Sequence, residues 1–262
     1  MQETHVVLDH GFVRLIESWG SDERVIEAAR MSTDKGFLGW GPVHVDGCPF
    51  YSRTAGVTKL EARQCHCPPG DEKLLKFLYD NKHATPFEFG GMVIEVQAPI
   101  FVFREWHRHR TQSYNEMSAR YTPLPDLNYI PTVERLMINS KVNKQAGTAA
   151  GAVELTHDEA ELFAELFRVR LAQSYADSQH LYERALKAGV PKELARVMLP
   201  VGRYSRMRAS ANLRNWLAFL TLRMDAAAQW EIRQYANVVG KLISQHFPRT
   251  WDLFAASPPK GA

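Results

Sequence analysis

The strongest constraint in this chain is one helical pattern that runs from Thr156 to Gly189. Thr156 stands three residues before Glu159, the spacing of a capping box that satisfies two otherwise orphaned backbone N–H groups. Apolar residues then recur at Leu162, Phe163, Leu166, Val169 and Leu171 with a helical period. A helix of this span measures roughly 45–50 Å at about 1.5 Å per residue. It is either a scaffold for an oligomer or broken somewhere inside. Pro191 opens a further short helix to about Met198, and Asn212 to Met224 and Ala226 to Phe247 read as two more. Near the start, Ser21 caps a helix over Asp22 to Arg30, and Asp71 opens one that reaches about Asn81.

Strand signals are fewer. Val6 to Leu8 and Phe12 to Ile16 predict a hairpin around Asp9-His10-Gly11, Gly91 to Val96 is a β-branched run, and Val201 to Ala209 alternates. Gly36 to Gly70 is rich in glycine and proline, and Asn139 to Gly151 is a Lys/Gln/Ala/Gly stretch; both read as loops. The chain has 262 residues, 45% hydrophobic and 23% charged, which excludes wholesale disorder. The expectation is one α+β domain over 1–262. It has a central, mostly antiparallel sheet, several long helices, an inserted loop at 34–69 and a mobile loop at 139–153.

Several classes fall away. The net charge of +3 excludes a polybasic protein but leaves room for local basic patches. Three cysteines (Cys48, Cys65 and Cys67) cannot form a disulfide framework and point to a reducing compartment. No signal peptide is visible, and the most apolar stretch, Met92 to Phe103, is too short to span a bilayer. A cytoplasmic protein without membrane or nucleic-acid partners is expected. No G-x-G-x-x-G follows a strand, and no P-loop, H-E-x-x-H or G-x-S-x-G is present. Cys65-His66-Cys67 with Cys48 could offer four ligands to zinc. C-x-C is not the usual C-x-x-C knuckle, however, and reduced thiols in a loop are expected instead of a metal.

Two basic clusters carry the chemistry. Between Arg104 and Arg120 four arginines and two histidines crowd into 17 residues, interleaved with Ser113, Asn115, Glu116 and Ser118. In an extended chain Glu116, Ser118 and Arg120 share one face. A hydroxyl beside a guanidinium makes a phosphate cradle, since both donate to anionic oxygens. The bland alternative is a solvated basic face. From Arg196 to Arg223 there are six arginines and no Asp, Glu or Lys. A solvated surface normally mixes signs, so the window suggests an anionic ligand. Its alternative is pairing with acids elsewhere in the chain.

Arg108 to Tyr121 carries R-H-R-x-x-S-x-N-E-x-S-x-R-Y, nine fixed positions in fourteen. This resembles the signature of the flavin-dependent thymidylate synthases. His83-Ala-Thr-Pro-Phe-Glu88, Ala195-Arg-Val-Met-Leu-Pro200, Asn212-Leu-Arg214, Leu220-Thr-Leu-Arg223 and Ala228-Gln-Trp-Glu231 resemble other parts of the family, as does Ala28-Ala-Arg-Met-Ser32. The resemblance implies reductive methylation of deoxyuridine monophosphate. Methylenetetrahydrofolate would give the carbon, and FAD reduced by NADPH would carry the hydride. The products would be thymidylate and tetrahydrofolate, and the assembly a homotetramer. By resemblance, Thr85, Arg108, His109, Arg110, Glu116, Asn212, Leu213 and Arg214 contact FAD. The nucleotide falls to Glu105, Trp106, His107, Arg108, Glu116, Met117, Ser118, Ala119, Arg120, Arg196 and Arg223. Of these, Arg223 would favour ionisation of the uracil ring. Ser118 is the other candidate for a catalytic role, though an unassisted serine is a weak nucleophile. A phosphate or uracil hydrogen bond suits it better.

Glu105 stands where the family usually has Gln, and repels phosphate unless it pairs with an arginine. Ala218 replaces a polar flavin contact, and the 34–69 segment is longer than the family's connection. Two rival readings are a nucleic-acid-binding module built on the arginines and a zinc-stabilised interaction protein built on the cysteine loop.

Overall fold

The computed structural model describes residues 3–41, 70–138, 147 and 152–256. The chain opens with a hairpin of β1 (Thr4–Val7) and β2 (Gly11–Trp19). Leu8, in its turn, has a positive φ of 58°. Gly11 is required where β2 begins, because a Cβ there would lie 2.0 Å from the Tyr235 hydroxyl and 2.5 Å from the Val7 carbonyl. The turn is fastened from outside. Tyr204 donates its hydroxyl proton to Asp9, and the Ile130 N–H donates to the other Asp9 oxygen at 3.1 Å.

Ser21 accepts from the Arg24 N–H and starts α1 (Asp22–Arg30). Then come α2 (Glu72–Asp80), a 3₁₀ turn at Thr85–Glu88, β3 (Gly91–Pro99) and α3 (Ile100–Trp106). β4 (Ser113–Glu116) and α4 (Val133–Met137) follow. α5 (His157–Lys187) is unbroken over 31 residues, with the capping box of Thr156 and Glu159 in place. Next is α6 (Lys192–Ala195), which tightens at once into a 3₁₀ turn at Arg196–Met198, so the helix expected from Pro191 to Met198 is two short pieces. The chain closes with β5 (Tyr204–Asn212), α7 (Leu213–Arg223), α8 (Trp230–His246) and α9 (Pro248–Ala256).

The five strands among the described residues form one antiparallel sheet in the order β1-β2-β3-β5-β4. Alternation decides its faces. Val13, Ile94, Val96, Met207 and Ala209 turn inward and are buried with Trp216, Phe219 and Leu220 of α7 and Tyr235, Val239 and Ile243 of α8. The opposite face carries a register row of Arg14, Glu95, Arg208 and Asn115 across four strands. Glu95 accepts from Arg14 at 2.7 Å and lies 3.5 Å from Arg208.

β5 begins at Tyr204, three residues later than the alternation suggested. Val201 to Arg203 instead make a turn, in which the Arg203 N–H donates to Pro200 and the Tyr129 N–H donates to Gly202. Along α5 only Ala164 and Tyr182 are buried. Leu162, Phe163, Leu166, Phe167 and Val169 are exposed, an apolar face that the described residues leave uncovered.

Candidate active site

The Arg104–Arg120 segment divides between two places. Its first half ends α3 and turns back through residues 107–111. Three contacts shape that turn. The Trp106 indole N–H donates to the Gln112 amide oxygen at 3.1 Å, Tyr114 donates its hydroxyl proton to the His109 carbonyl at 2.8 Å, and the Asn215 amide donates to the Thr111 carbonyl at 3.1 Å. Burial pushes the Tyr114 hydroxyl well above its ordinary pKa, so it stays a donor.

The turn delivers His109 to the end of α7. There Arg223 donates from Nε to His109 Nε2 at 2.8 Å, from Nη1 to Glu105 Oε2 at 2.9 Å and from Nη2 to the Glu105 carbonyl at 2.8 Å. Burial, with the Arg223 charge beside it, lowers the His109 pKa to about 4, against the smaller opposing pull of Glu105. The imidazole is therefore neutral at pH 7. Glu105, expected to need an arginine partner, has one. Trp106 is fully buried against Phe219, so its side chain faces the core and not a ligand. His107 stacks on Phe103 and lies tilted against Tyr114. Arg108 and Arg110 are exposed and have no carboxylate partner among the described residues.

The second half of the segment passes along β4 to a cleft of about 310 Å³. Glu116, Met117, Ser118, Ala119 and Arg196 line it together with Leu124 and Leu199. The extended chain stops at Glu116. The Tyr121 and Thr122 N–H groups both donate to the Ser118 carbonyl, so Ser118 to Arg120 form a turn and the expected strand face ends there. Arg120 lies over the Tyr121 ring and has no carboxylate partner among the described residues. A neighbouring cleft of about 390 Å³ shares Glu116 and Met117 and adds Arg206, Arg208, Asn115 and Glu95. Among the described residues no hydrogen bond or ion pair joins the Arg223 cluster to the Arg196 cleft.

Thr85 lines a third cleft, about 290 Å³, with Ala29, Leu78, His83, Ala84 and Pro86. Next to it Arg214 pairs with Glu88. Asn212 accepts from the Asn215 N–H at 3.0 Å as the cap of α7. The Leu213 side chain is fully buried, and its N–H donates to the Gly90 carbonyl.

The acid-free arginine window turns out to be mostly balanced by distant acids. Arg203 pairs with Asp126, Arg208 with Glu95, Arg214 with Glu88 and Arg223 with Glu105. Arg196 and Arg206 have no carboxylate partner among the described residues. These two remain without an acid, whereas Arg203 serves the fold. That side chain is fully buried and ties the Pro125 carbonyl and Asp126 to Gln179 of α5. Cys48, Cys65, His66 and Cys67 lie outside the described residues, as does most of 139–153. No helix among the described residues is long and apolar enough to cross a membrane.

Residues 14–249 match the Thy1 family, described as thymidylate synthase complementing protein. A flavin-dependent thymidylate synthase of Thermosipho melanesiensis is 34% identical over 248 residues, covering 95% of this chain and 92% of that one. One from Thermus thermophilus is 34% identical over 256 residues, covering 98% and 80%. Among solved structures, the UMP/dUMP methylase PolB of Streptomyces cacaoi bound with 5-Br dUMP superposes with a TM-score of 0.71 at 28% identity, over 98% of this chain and 99% of that one. The α+β fold with one antiparallel sheet is thus shared with a nucleotide-methylating enzyme. The chain belongs to the flavin-dependent thymidylate synthase family. The nucleic-acid-binding and zinc-module readings find no support in these comparisons.

Proposed function

We propose that this protein converts deoxyuridine monophosphate to thymidylate, with methylenetetrahydrofolate as carbon donor and FAD, reduced by NADPH, as hydride carrier. One observation carries the reading. Arg108, Arg110, Arg120 and Arg196 are exposed without carboxylate partners among the described residues, while most neighbouring arginines are paired. Guanidinium groups left without acids suit the phosphates of a nucleotide and a dinucleotide.

In this reading Ser118, Ala119, Arg120 and Arg196 hold the nucleotide phosphate at the cleft. Arg223 donates to the base, where charge develops during methylation. Thr85, Arg108, His109, Arg110 and Arg214 hold the flavin. The residues suit that cofactor: Arg108 and Arg110 are free for its diphosphate, and neutral His109 offers Nδ1–H as a donor. When bound, FAD supplies the hydride. Ser118, with no base beside it among the described residues, serves as a hydrogen-bond partner.

Assembly belongs to the same reading. The apolar face of α5 is left uncovered by the described residues. That face supports a homotetramer in which neighbouring copies complete each site. The cysteines suggest a reducing compartment, which supports a cytoplasmic location in this reading.

The absorption spectrum of the purified protein tests this reading. Flavin bands that are released on denaturation, or restored by added FAD, are expected. Colourless protein that takes up no FAD would contradict it.

A further inference from the structure

The Arg223 guanidinium has five N–H donors. Three are spent inside the protein: one on His109 Nε2, one on the Glu105 carboxylate and one on the Glu105 carbonyl. Two N–H groups remain, one on each Nη. The backbone carbonyl and the imidazole fix the plane of the guanidinium. The carboxylate does two things more. It anchors Nη1, and it places a negative charge against the positive one. The Arg223 side chain is only 14% exposed, so water weakens this pairing less than it would on an open surface. Glu105 is 43% exposed and sits near the end of α3, where its side chain has no core to fill. Its second oxygen has no hydrogen-bond partner among the described residues. Helix packing therefore does not explain an acid here, whereas Arg223 does.

We propose that Glu105 is a positioning residue: by anchoring Nη1 it holds Arg223 in the orientation that leaves two donors for a bound pyrimidine and keeps Nε on His109. The claim rests on the nucleotide-binding reading of Arg223 for its purpose, but not for its geometry. An arginine freed from one of its three anchors has more rotamers to lose when the base binds. The Nε contact that keeps the His109 proton on Nδ1 loosens with it. Glu105→Gln keeps an acceptor oxygen at the same reach, so it retains the anchor and loses only the charge. Glu105→Ala loses both.

The test uses full-length protein and two readouts. The first is the imidazole nitrogen spectrum of His109. Nδ1 protonated and Nε2 accepting are expected in the native protein and in Glu105→Gln, and a mixture of tautomers in Glu105→Ala. The second is turnover of deoxyuridine monophosphate. Loss of one charge-assisted bond should raise the nucleotide KM of Glu105→Ala by roughly tenfold to a hundredfold at unchanged flavin content, and Glu105→Gln, which keeps the anchor without the charge, should fall between Glu105→Ala and native. An Ala variant with the native tautomer and the native KM would overturn the proposal. A native protein that has the single tautomer but makes no thymidylate would leave Glu105 as the anchor of Arg223 and remove the proposed function instead.

Discussion

Arg223 donates from Nε to Nε2 of His109 at 2.8 Å, so the imidazole carries its proton on Nδ1 and is neutral. Adding a second proton means placing a charge in a half-buried site beside a guanidinium, which holds the folded pKa at about 4. The unfolded value is about 6.5. Between these two values the unfolded chain binds the proton and the folded one does not. Stability therefore falls as pH drops from about 6.5 towards 4, and above 6.5 this residue contributes no slope. Urea unfolding at pH 7 and pH 5 measures the difference. His109→Gln keeps an acceptor and cannot titrate, so it should flatten that part of the profile. An equally steep loss in the variant would place the titrating group elsewhere.

Arg223 meets three acceptors with a planar fork, and an ammonium cannot reproduce that arrangement. Arg223→Lys should keep its fold and its flavin and lose most thymidylate formation. If the arginine served only to complement the C-terminal dipole of α7, worth about 0.3–1 kcal/mol, lysine would be nearly silent. Flavin absorbance and turnover on the same sample separate the two.

Arg196 and Arg203 come from the same acid-free stretch and should fail differently. Arg196 is exposed at the cleft with Ser118 and Ala119, so Arg196→Ala should weaken deoxyuridine monophosphate by about 1.5–3 kcal/mol with little change in melting temperature. Arg203 is fully buried on Asp126, Gln179 and the Pro125 carbonyl. Arg203→Ala should cost about 2–5 kcal/mol of stability, because its buried space empties and the Pro125 carbonyl, Asp126 and Gln179 lose their donor. Nucleotide titration and thermal melting of both variants decide. Two variants with the same phenotype would contradict the division.

Phe163 and Leu166 stand on the uncovered face of α5, which runs about 46 Å at about 1.5 Å per residue. Changing both to glutamate should leave the helix intact, since neither is buried in the protomer, and should disperse the assembly. If neighbouring copies complete the site, the dispersed protein should also lose FAD. Sedimentation with flavin absorbance detection checks both at once. A monomer that retains stoichiometric FAD would remove the need for assembly.

What the sequence showed depended on how local the deciding interaction was. α5 was legible at both ends, since Thr156 and Glu159 satisfy each other within one turn and Gly189 supplies the positive φ of 80° beyond Lys187. The hairpin, α1 and α7 were legible for similar reasons, whereas α2 begins where expected without a cap, since the Asp71 carboxylate is taken by Arg30 and the Leu38 N–H. β4 was not, because Ser113–Glu116 has no apolar alternation and exists by pairing with β5 about ninety residues away. α3 was missed because its run of four apolar residues, Ile100–Phe103, reads equally as strand or helix. In the candidate site, the signature named candidate residues but could not reveal their partners. Glu88, Glu95, Glu105 and Asp126 balance four arginines across long sequence separations, which no window of sequence contains. Gln112, Tyr114 and Asn215 shape the His109 turn through backbone carbonyls and an indole, and a residue pattern does not report such contacts.

The most direct measurement is the product pair. Purified protein is supplied with FAD, NADPH, methylenetetrahydrofolate and deoxyuridine monophosphate, with uridine monophosphate in a parallel reaction. Nucleotide and folate products are then quantified together. Thymidylate formed in step with tetrahydrofolate, and dependent on NADPH, is the expected result. No thymidylate, or thymidylate formed in step with dihydrofolate and without need of flavin, would contradict it.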